Sequence, residues 1–521
     1  MNHDLSLRLD RLVRRLPTAY PGPGGAIAVL RRGEVLLRHA WGFANAERRI
    51  AFTPRTLFRV CSITKQFTCA TLLQTCPDPS VLNTALRARL SRLAGKAPTT
   101  AQLCHNQSGL RDYWAVAMLL GARAEDSFGD AEAARMITAT RSAQFAPGTR
   151  YAYCNQNFRL VCDLLEQHSG RGFAELLRMH VLGPAGMESA ILAADTRAMP
   201  DGTEGYEGTP ASGFRAAKNR ILWTGDAGLG ASLDDMIAWE RHIDATRDDP
   251  ASIYVRLCAP VAFVDGTPAT YGFGVARDKE FGHALTAHGG ALRGWRSHRL
   301  NLAAERISIV VLFNHMSDAQ AAAHDALAEM LGATKPAPDP SLPAPAWLGV
   351  YIEPETGLSA RLDSGAPGEV RLRFGPVPDR LRLQQDGSAT TGRVTLRPDA
   401  DGLWLERPGE NLRTRLMPLA AGTSDSDLAG RYRCDELEAE ITITDAGGAL
   451  YGACSGPLGQ GRMEQLELIG PDLWALPCPR ALDVSPPGDW TLAVRRDGAG
   501  RVSGATIGCW LARGLGYARV D

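Results

Sequence analysis

Between Thr334 and Pro345 the chain reads Thr-Lys-Pro-Ala-Pro-Asp-Pro-Ser-Leu-Pro-Ala-Pro, with five prolines. Proline locks φ and removes a backbone donor, so this stretch behaves as an extended, semi-rigid spacer of about 3.1 Å per residue. No single core runs through it. The 521 residues therefore divide into two parts with different textures.

Residues 1–333 mix helical and strand patterns. Leu5, Leu9, Leu12, Val13 and Leu16 have the spacing of a helix that covers a sheet. Ala26–Leu30 and Val35–His39 flank an Arg-Arg-Gly-Glu turn as a hairpin. Helices are predicted near 80–93, 130–140, 156–168 and 172–182, with a capping box at Ser232–Asp235. Strands return near 295–300 and 307–313, and a helix at Ala321–Leu331 closes the unit. Strands at both ends with helices between predict an α+β domain.

Beyond the spacer, set at 334–346, short strands alternate with Asp-Gly and Gly-Gly turns, a pattern of all-β barrels or sandwiches. Trp347-Leu-Gly349-Val-Tyr351 with Glu355 is echoed by Leu428-Ala-Gly430-Arg-Tyr432 with Glu436, each pair 81 residues apart. This repeat predicts two antiparallel β-domains, 347–418 and 428–521.

Composition excludes several classes. The formal net charge is zero and no basic block occurs, so nucleic acid is not an expected partner. No apolar run is long enough for a membrane span, and the N-terminus lacks the pattern of a secretory signal. Eleven cysteines are scattered singly with no C-x-x-C pair, which reads as reduced thiols in a cytoplasmic protein. The Gly22–Gly25 cluster lacks the spacing of a nucleotide loop. No H-E-x-x-H is present, and His283 and His288 have no evident third ligand, so neither metal nor cofactor is expected.

Only five of the 57 basic residues are lysines. One of them is Lys65, in Cys61-Ser62-Ile63-Thr64-Lys65, followed by Phe67, Ala70 and Leu73 at the rhythm of one helix face. Residues three apart on a helix are neighbours, so the Lys65 amine is placed beside the Ser62 hydroxyl. A serine is a poor nucleophile until a base takes its proton. A desolvated lysine can be that base; arginine cannot be deprotonated. Chance alone gives about 0.2 such Ser-x-x-Lys matches in a chain with 24 serines, and one is present. By itself the motif more often means a capping serine and a solvated lysine.

Two further stretches add to it. Tyr151-Ala-Tyr153-Cys-Asn155 places a tyrosine that can relay a proton, since a nearby cation favours its phenolate. Asn155 can donate and accept hydrogen bonds to a substrate amide. Ala287-His288-Gly289-Gly290-Ala291 supplies a histidine able to carry charge near neutral pH and a small-residue strand open to close backbone approach. Singly, Tyr153 and His288 are more often ordinary core or surface residues.

Together, Ser62-x-x-Lys65, Tyr153-x-Asn155 and His288-Gly-Gly290 resemble, in order, the three motifs of the penicillin-recognising serine hydrolases, the family of class C β-lactamases and D,D-peptidases. Gln107-Ser-Gly-Leu110, Phe145-Ala-Pro-Gly148, Gly183-Pro-Ala-Gly-Met187 and Tyr271-Gly-Phe-Gly274 agree. A β-lactamase/D,D-peptidase-like domain followed by two β-barrels resembles the D-stereospecific aminopeptidases of that family. Asn106–Trp114 and Cys509-Trp-Leu-Ala-Arg-Gly514 extend the likeness over the full chain.

Where relatives carry Lys-Thr-Gly, this chain has His288-Gly289-Gly290, losing groups that grip a substrate carboxylate. That argues against a carboxypeptidase. Asn106 stands where histidine is common, with its role left open.

The resemblance implies that Ser62 attacks and Lys65 with Tyr153 moves the proton. It also implies that the N–H groups of Ser62 and Ala291 hold the oxyanion, and that the protein is a homodimer inhibited by β-lactams. The expected substrates are small peptides or amides with an N-terminal D-residue such as D-alanine. A serine esterase, a β-lactamase-like hydrolase and a non-catalytic β-lactam or peptide sensor remain as alternatives. The loop from Pro477 to Asp489 is long for a hairpin and holds four prolines. Without the resemblance Asp483 reads as solvated surface. With it, the loop resembles one that reaches into the cleft and meets the substrate's amine.

Overall fold

The computed structural model describes all residues except 1–2, 401, 421, 423–425 and 484–486. The N-terminal part is built on an eight-stranded antiparallel sheet. Its order is Tyr271–Gly272, Val275–Glu280, His283–Leu292, Trp295–Leu302, Ile307–Phe313, Gly24–Arg31, Glu34–Asn45 and Ile50–Ala51. The N-terminal hairpin thus joins the late strands, with Gly25 opposite Phe313 and Arg31 opposite Ile307. Helices His3–Ala19 and Ala319–Leu331 cover one face, where Leu5, Leu9, Leu12 and Leu16 pack with Ile27, Val29, Ile309 and Val311.

The other face carries the remaining helices, with Thr64–Thr75 at their centre. The sequence rhythm of this helix suggests one apolar face, yet every residue from Thr64 to Leu73 is buried. Its threonines are accommodated because their hydroxyls bond backbone carbonyls: Thr71 to Phe67 at 2.9 Å and Thr68 to Gly225 at 2.7 Å. No described helix is long and apolar enough to cross a membrane.

After the proline-rich stretch, which forms neither helix nor strand, eight strands between Gly349 and Pro418 close into a barrel. Alternate residues such as Leu362, Leu372, Leu381, Leu403 and Leu416 fill it. The last domain is a ten-stranded curled sheet. Its ends are drawn together by residues 464–470, which pair with Tyr451–Gly452 on one side and 473–475 on the other.

The internal repeat has a structural meaning. The Tyr351 hydroxyl donates to the Trp347 carbonyl at 2.7 Å, and the Tyr432 hydroxyl donates to that of Leu428 at 2.7 Å. The repeated acids both turn toward the N-terminal domain, Glu355 pairing with Arg150 and Glu436 with Arg111. Each β-domain starts with the same latch and the same tether.

Candidate active site

Ser62 sits in a tight turn, Cys61–Ile63, that runs into the buried helix Thr64–Thr75. Cys61 adopts φ 51, which turns the chain sharply just before the serine. The strand His283–Leu292 lies directly over this turn. A Cβ at Gly290 would stand 2.2 Å from the Val60 carbonyl oxygen, so glycine is required there by contact. The Ser297 hydroxyl, opposite Gly290, donates to the same carbonyl at 2.8 Å and locks sheet to turn. Strand Val275–Glu280 pairs no further than Ala287, so residues 288–292 are hydrogen-bonded on one side only. Gly289, Gly290 and Ala291 therefore present an open edge to the cleft.

Lys65 is fully buried, and its amine has three oxygen neighbours: Ser62 Oγ at 3.0 Å, Asn155 Oδ1 at 2.9 Å and the Asp226 carbonyl at 2.6 Å. None is a carboxylate. Burial lowers the Lys65 pKa from 10.5 to about 8, against the opposing pull of Asp226, Asp112 and Asp483. That displacement is worth roughly 3 kcal/mol against the charged form.

Asn155 is tied to the lysine and also lines the cavity beside Ser62. Its Nδ2 donates to Asp112 Oδ2 at 2.9 Å and its backbone N–H to the same oxygen at 2.6 Å, which fixes the carboxamide's orientation and leaves the second Nδ2 hydrogen without an acceptor among the described residues. Asp112 is buried and caps the helix Tyr113–Leu119. Asp226 Oδ2, on the opposite flank, accepts from the Tyr113 hydroxyl at 2.6 Å.

The Tyr153 hydroxyl bonds Ser62, and its ring centroid lies 4.9 Å from the lysine nitrogen. The expected phenolate is not favoured. Burial holds the Tyr153 pKa well above its ordinary value of 10, so the group stays protonated. His288 is likewise not a cation near neutral pH: burial, with help from Lys65, lowers its pKa to about 3. Its Nδ1 faces the Gly289 carbonyl at 2.6 Å and must carry the proton, which leaves Nε2 to accept from the Tyr271 hydroxyl at 3.0 Å. Asn106, completely buried, accepts from the Cys154 N–H at 3.2 Å and so pins the segment that presents Tyr153.

Both β-domains reach this site. A cavity of about 370 Å³ is lined by Ser62, Tyr153, Asn155, His288 and the open strand edge, by Pro376 of the first barrel, and by Asp483, Trp510 and Leu511 of the last domain. Asp483 is only 8% exposed rather than solvated surface. Arg293 holds its segment: Nη1 donates to the Ala481 carbonyl at 2.6 Å and Nη2 to that of Leu482 at 3.1 Å. The Leu511 carbonyl accepts from Asp112 N at 3.0 Å. Residues 484–486 of the 477–489 loop lie outside the described residues.

Sequence reasoning did not single out Asp112, Asp226, Arg293, Pro376 or Trp510. Asp112 carried a faint signal as a cap before the apolar run Tyr113–Leu119. Trp510 lay within the quoted Cys509–Gly514 stretch without a role; the others had no signal, because their roles rest on contacts between segments far apart in the chain.

A serine and a buried lysine under the open edge of an antiparallel sheet define a class, and the comparisons agree with it. A β-lactamase family model matches residues 9–334. A D-aminopeptidase domain B model matches residues 341–518. The D-aminopeptidase of Gluconobacter oxydans is 58% identical over the whole of both chains. That of Brucella melitensis is 47% identical over 98% of each. Among solved structures, the octameric penicillin-binding protein homologue from Pyrococcus abyssi has a TM-score of 0.54 at 19% identity, over 87% of this chain and 98% of its own. SurE has 0.52 at 22% identity, over 79% and 98%. At those identities these two speak for the fold alone. The chain belongs to the β-lactamase family of serine hydrolases, within the branch formed by the D-aminopeptidases.

Proposed function

We propose that this enzyme hydrolyses the first peptide or amide bond of substrates that begin with a small D-residue bearing a free amine, through an acyl-enzyme on Ser62. One observation carries the reading. A neutral amine has two hydrogens and one lone pair, and Lys65 has three oxygen neighbours. Asn155 Oδ1 and the Asp226 carbonyl can only accept, so they take the two hydrogens. The lone pair is left for the Ser62 hydroxyl.

Ser62 Oγ attacks the carbonyl and its proton passes to Lys65. The oxyanion is held at the backbone N–H groups of Ser62 and Ala291. As the C–N bond breaks, Tyr153, kept protonated by burial, hands its proton to the departing nitrogen and regains one from Lys65. Water then repeats the sequence on the acyl-enzyme. Asp483 on the cavity wall is the anion for the substrate ammonium. The neutral His288 removes any fixed cation from the place where carboxypeptidases hold a carboxylate. Eleven unpaired thiols suit a reducing, cytoplasmic setting, and a homodimer is part of the same reading.

The deciding experiment is pre-steady-state turnover of D-alanine amide, a D-alanine ester and a penicillin. A burst followed by steady turnover, fastest on the amide, is expected. Turnover on the ester alone makes the enzyme an esterase, and a burst with no turnover on any makes the protein a sensor.

A further inference from the structure

A second cavity, of about 350 Å³, lies between the catalytic domain and the last β-domain. Two of its lining residues, Arg111 and Gln156, are the chain neighbours of Asp112 and Asn155, which line the Ser62 cleft. The two cavities therefore share a wall. Apolar contact comes from both domains, including Met136 and Leu458. Two ion pairs cross the domain boundary at its lining, Arg111 to Glu436 and Arg135 to Glu438, each at 3.2 Å.

Gln156 is the informative residue. It is 3% exposed and lines this cavity; its backbone N–H is bonded to Cys154, while its carboxamide has no hydrogen-bond partner among the described residues. Its polar atoms are not sealed off but keep access to the cavity space, where solvent or a ligand can meet their hydrogen-bonding needs. The space in front of Gln156 is where that partner belongs.

We infer that this cavity is a second binding site, for a zwitterionic amino acid or dipeptide. The carboxamide offers one donor and one acceptor side by side. The paired cations and anions on the lining present both signs of charge to one small space, which suits a ligand with an ammonium at one end and a carboxylate at the other. The apolar contacts take a small side chain, and the volume admits one or two residues. Occupancy acts on the shared wall through Gln156–Asn155 and Arg111–Asp112, and so on the orientation of Lys65. None of this depends on which bond Ser62 cleaves.

The test is calorimetric titration of the full-length Ser62→Ala protein with D-alanyl-glycine. Two sites are expected. Adding Gln156→Leu should weaken one of them at least tenfold, whereas adding Asp483→Asn should weaken the other. Met136→Trp, which fills the apolar side of the cavity, gives a second variant should Gln156→Leu fold poorly, and thermal melts establish which proteins are intact. The uncharged N-acetyl-D-alanyl-glycine amide should not enter the Gln156 site. Superimposable isotherms for the parent and an intact cavity variant would overturn the proposal, as would equal uptake of the uncharged probe. If the reading of the Ser62 site is wrong instead, the Asp483-sensitive site disappears and the Gln156-sensitive one remains.

Discussion

Asn155 turns its carboxamide oxygen, not its nitrogen, toward Lys65, at 2.9 Å. The orientation is imposed from behind, because Asn155 Nδ2 must face the Asp112 carboxylate. A reversed amide would put a donor against the amine and compete for the lone pair that Ser62 needs. Asp112→Asn removes this control by offering a donor in place of a carboxylate. Acylation should slow by about ten- to a hundredfold with little change in KM, and the pKa of the pH–rate profile should move. A loss of stability with an unchanged profile would make Asp112 merely structural.

Lys65→Arg should remove acylation while leaving the fold intact, a loss of about a hundredfold or more for a base of this kind. Arginine keeps the charge and forfeits the lone pair. Lys279→Arg, on an outer strand, is the control and should do little. Single-turnover rates decide, and near-native acylation by Lys65→Arg excludes the lysine as proton acceptor.

With Lys65 near 8, about one molecule in ten holds it neutral at pH 7. The base works only when neutral, so acylation should climb as pH rises through 8 and level off above. The substrate's amino group, with an ordinary value of about 7.7–8.0, loses its charge over the same range. The profile of kcat/KM should therefore be bell-shaped with its maximum near 8, and should lose its falling limb on a substrate with a blocked amine. His288, neutral down to about 3, adds no limb between pH 5 and 8. A limb near 6 contradicts this assignment.

Asp483→Asn should reduce kcat/KM on free-amine substrates by about ten- to a hundredfold, the worth of a charge-assisted hydrogen bond of roughly 1.5–3 kcal/mol. Rates on D-alanyl and N-acetyl-D-alanyl amides, compared before and after substitution, measure it. An unchanged ratio means that the ammonium is held elsewhere.

Arg293→Gln tests the wall instead of the charge. It releases the Ala481 and Leu482 carbonyls, so the loop should loosen and bulkier acyl groups should gain relative to D-alanine. The ratio of D-phenylalanine amide to D-alanine amide turnover should rise, while the pH profile set by Lys65 stays in place. A fixed ratio makes Arg293 a docking residue with no part in selectivity.

Much of this protein is local and was legible from its residues alone. The proline-rich break, the hairpin at 24–45, the capped helices and Ser62 with its lysine one turn away are set by short-range sterics and periodicity. The repeat at 81 residues is local too, since each tyrosine bonds a carbonyl only four residues back. Charge states were not local. His288 and Tyr153 read as a titratable cation and a phenolate because their types allow it, and burial by distant segments decided otherwise. Nor could spacing show that Asn155 is oriented by Asp112, or that Pro376 and Trp510, from two different domains, stand in the wall around Ser62. Periodicity determines which residues face a neighbour; only tertiary packing determines which neighbour it is, and how much water is left between them.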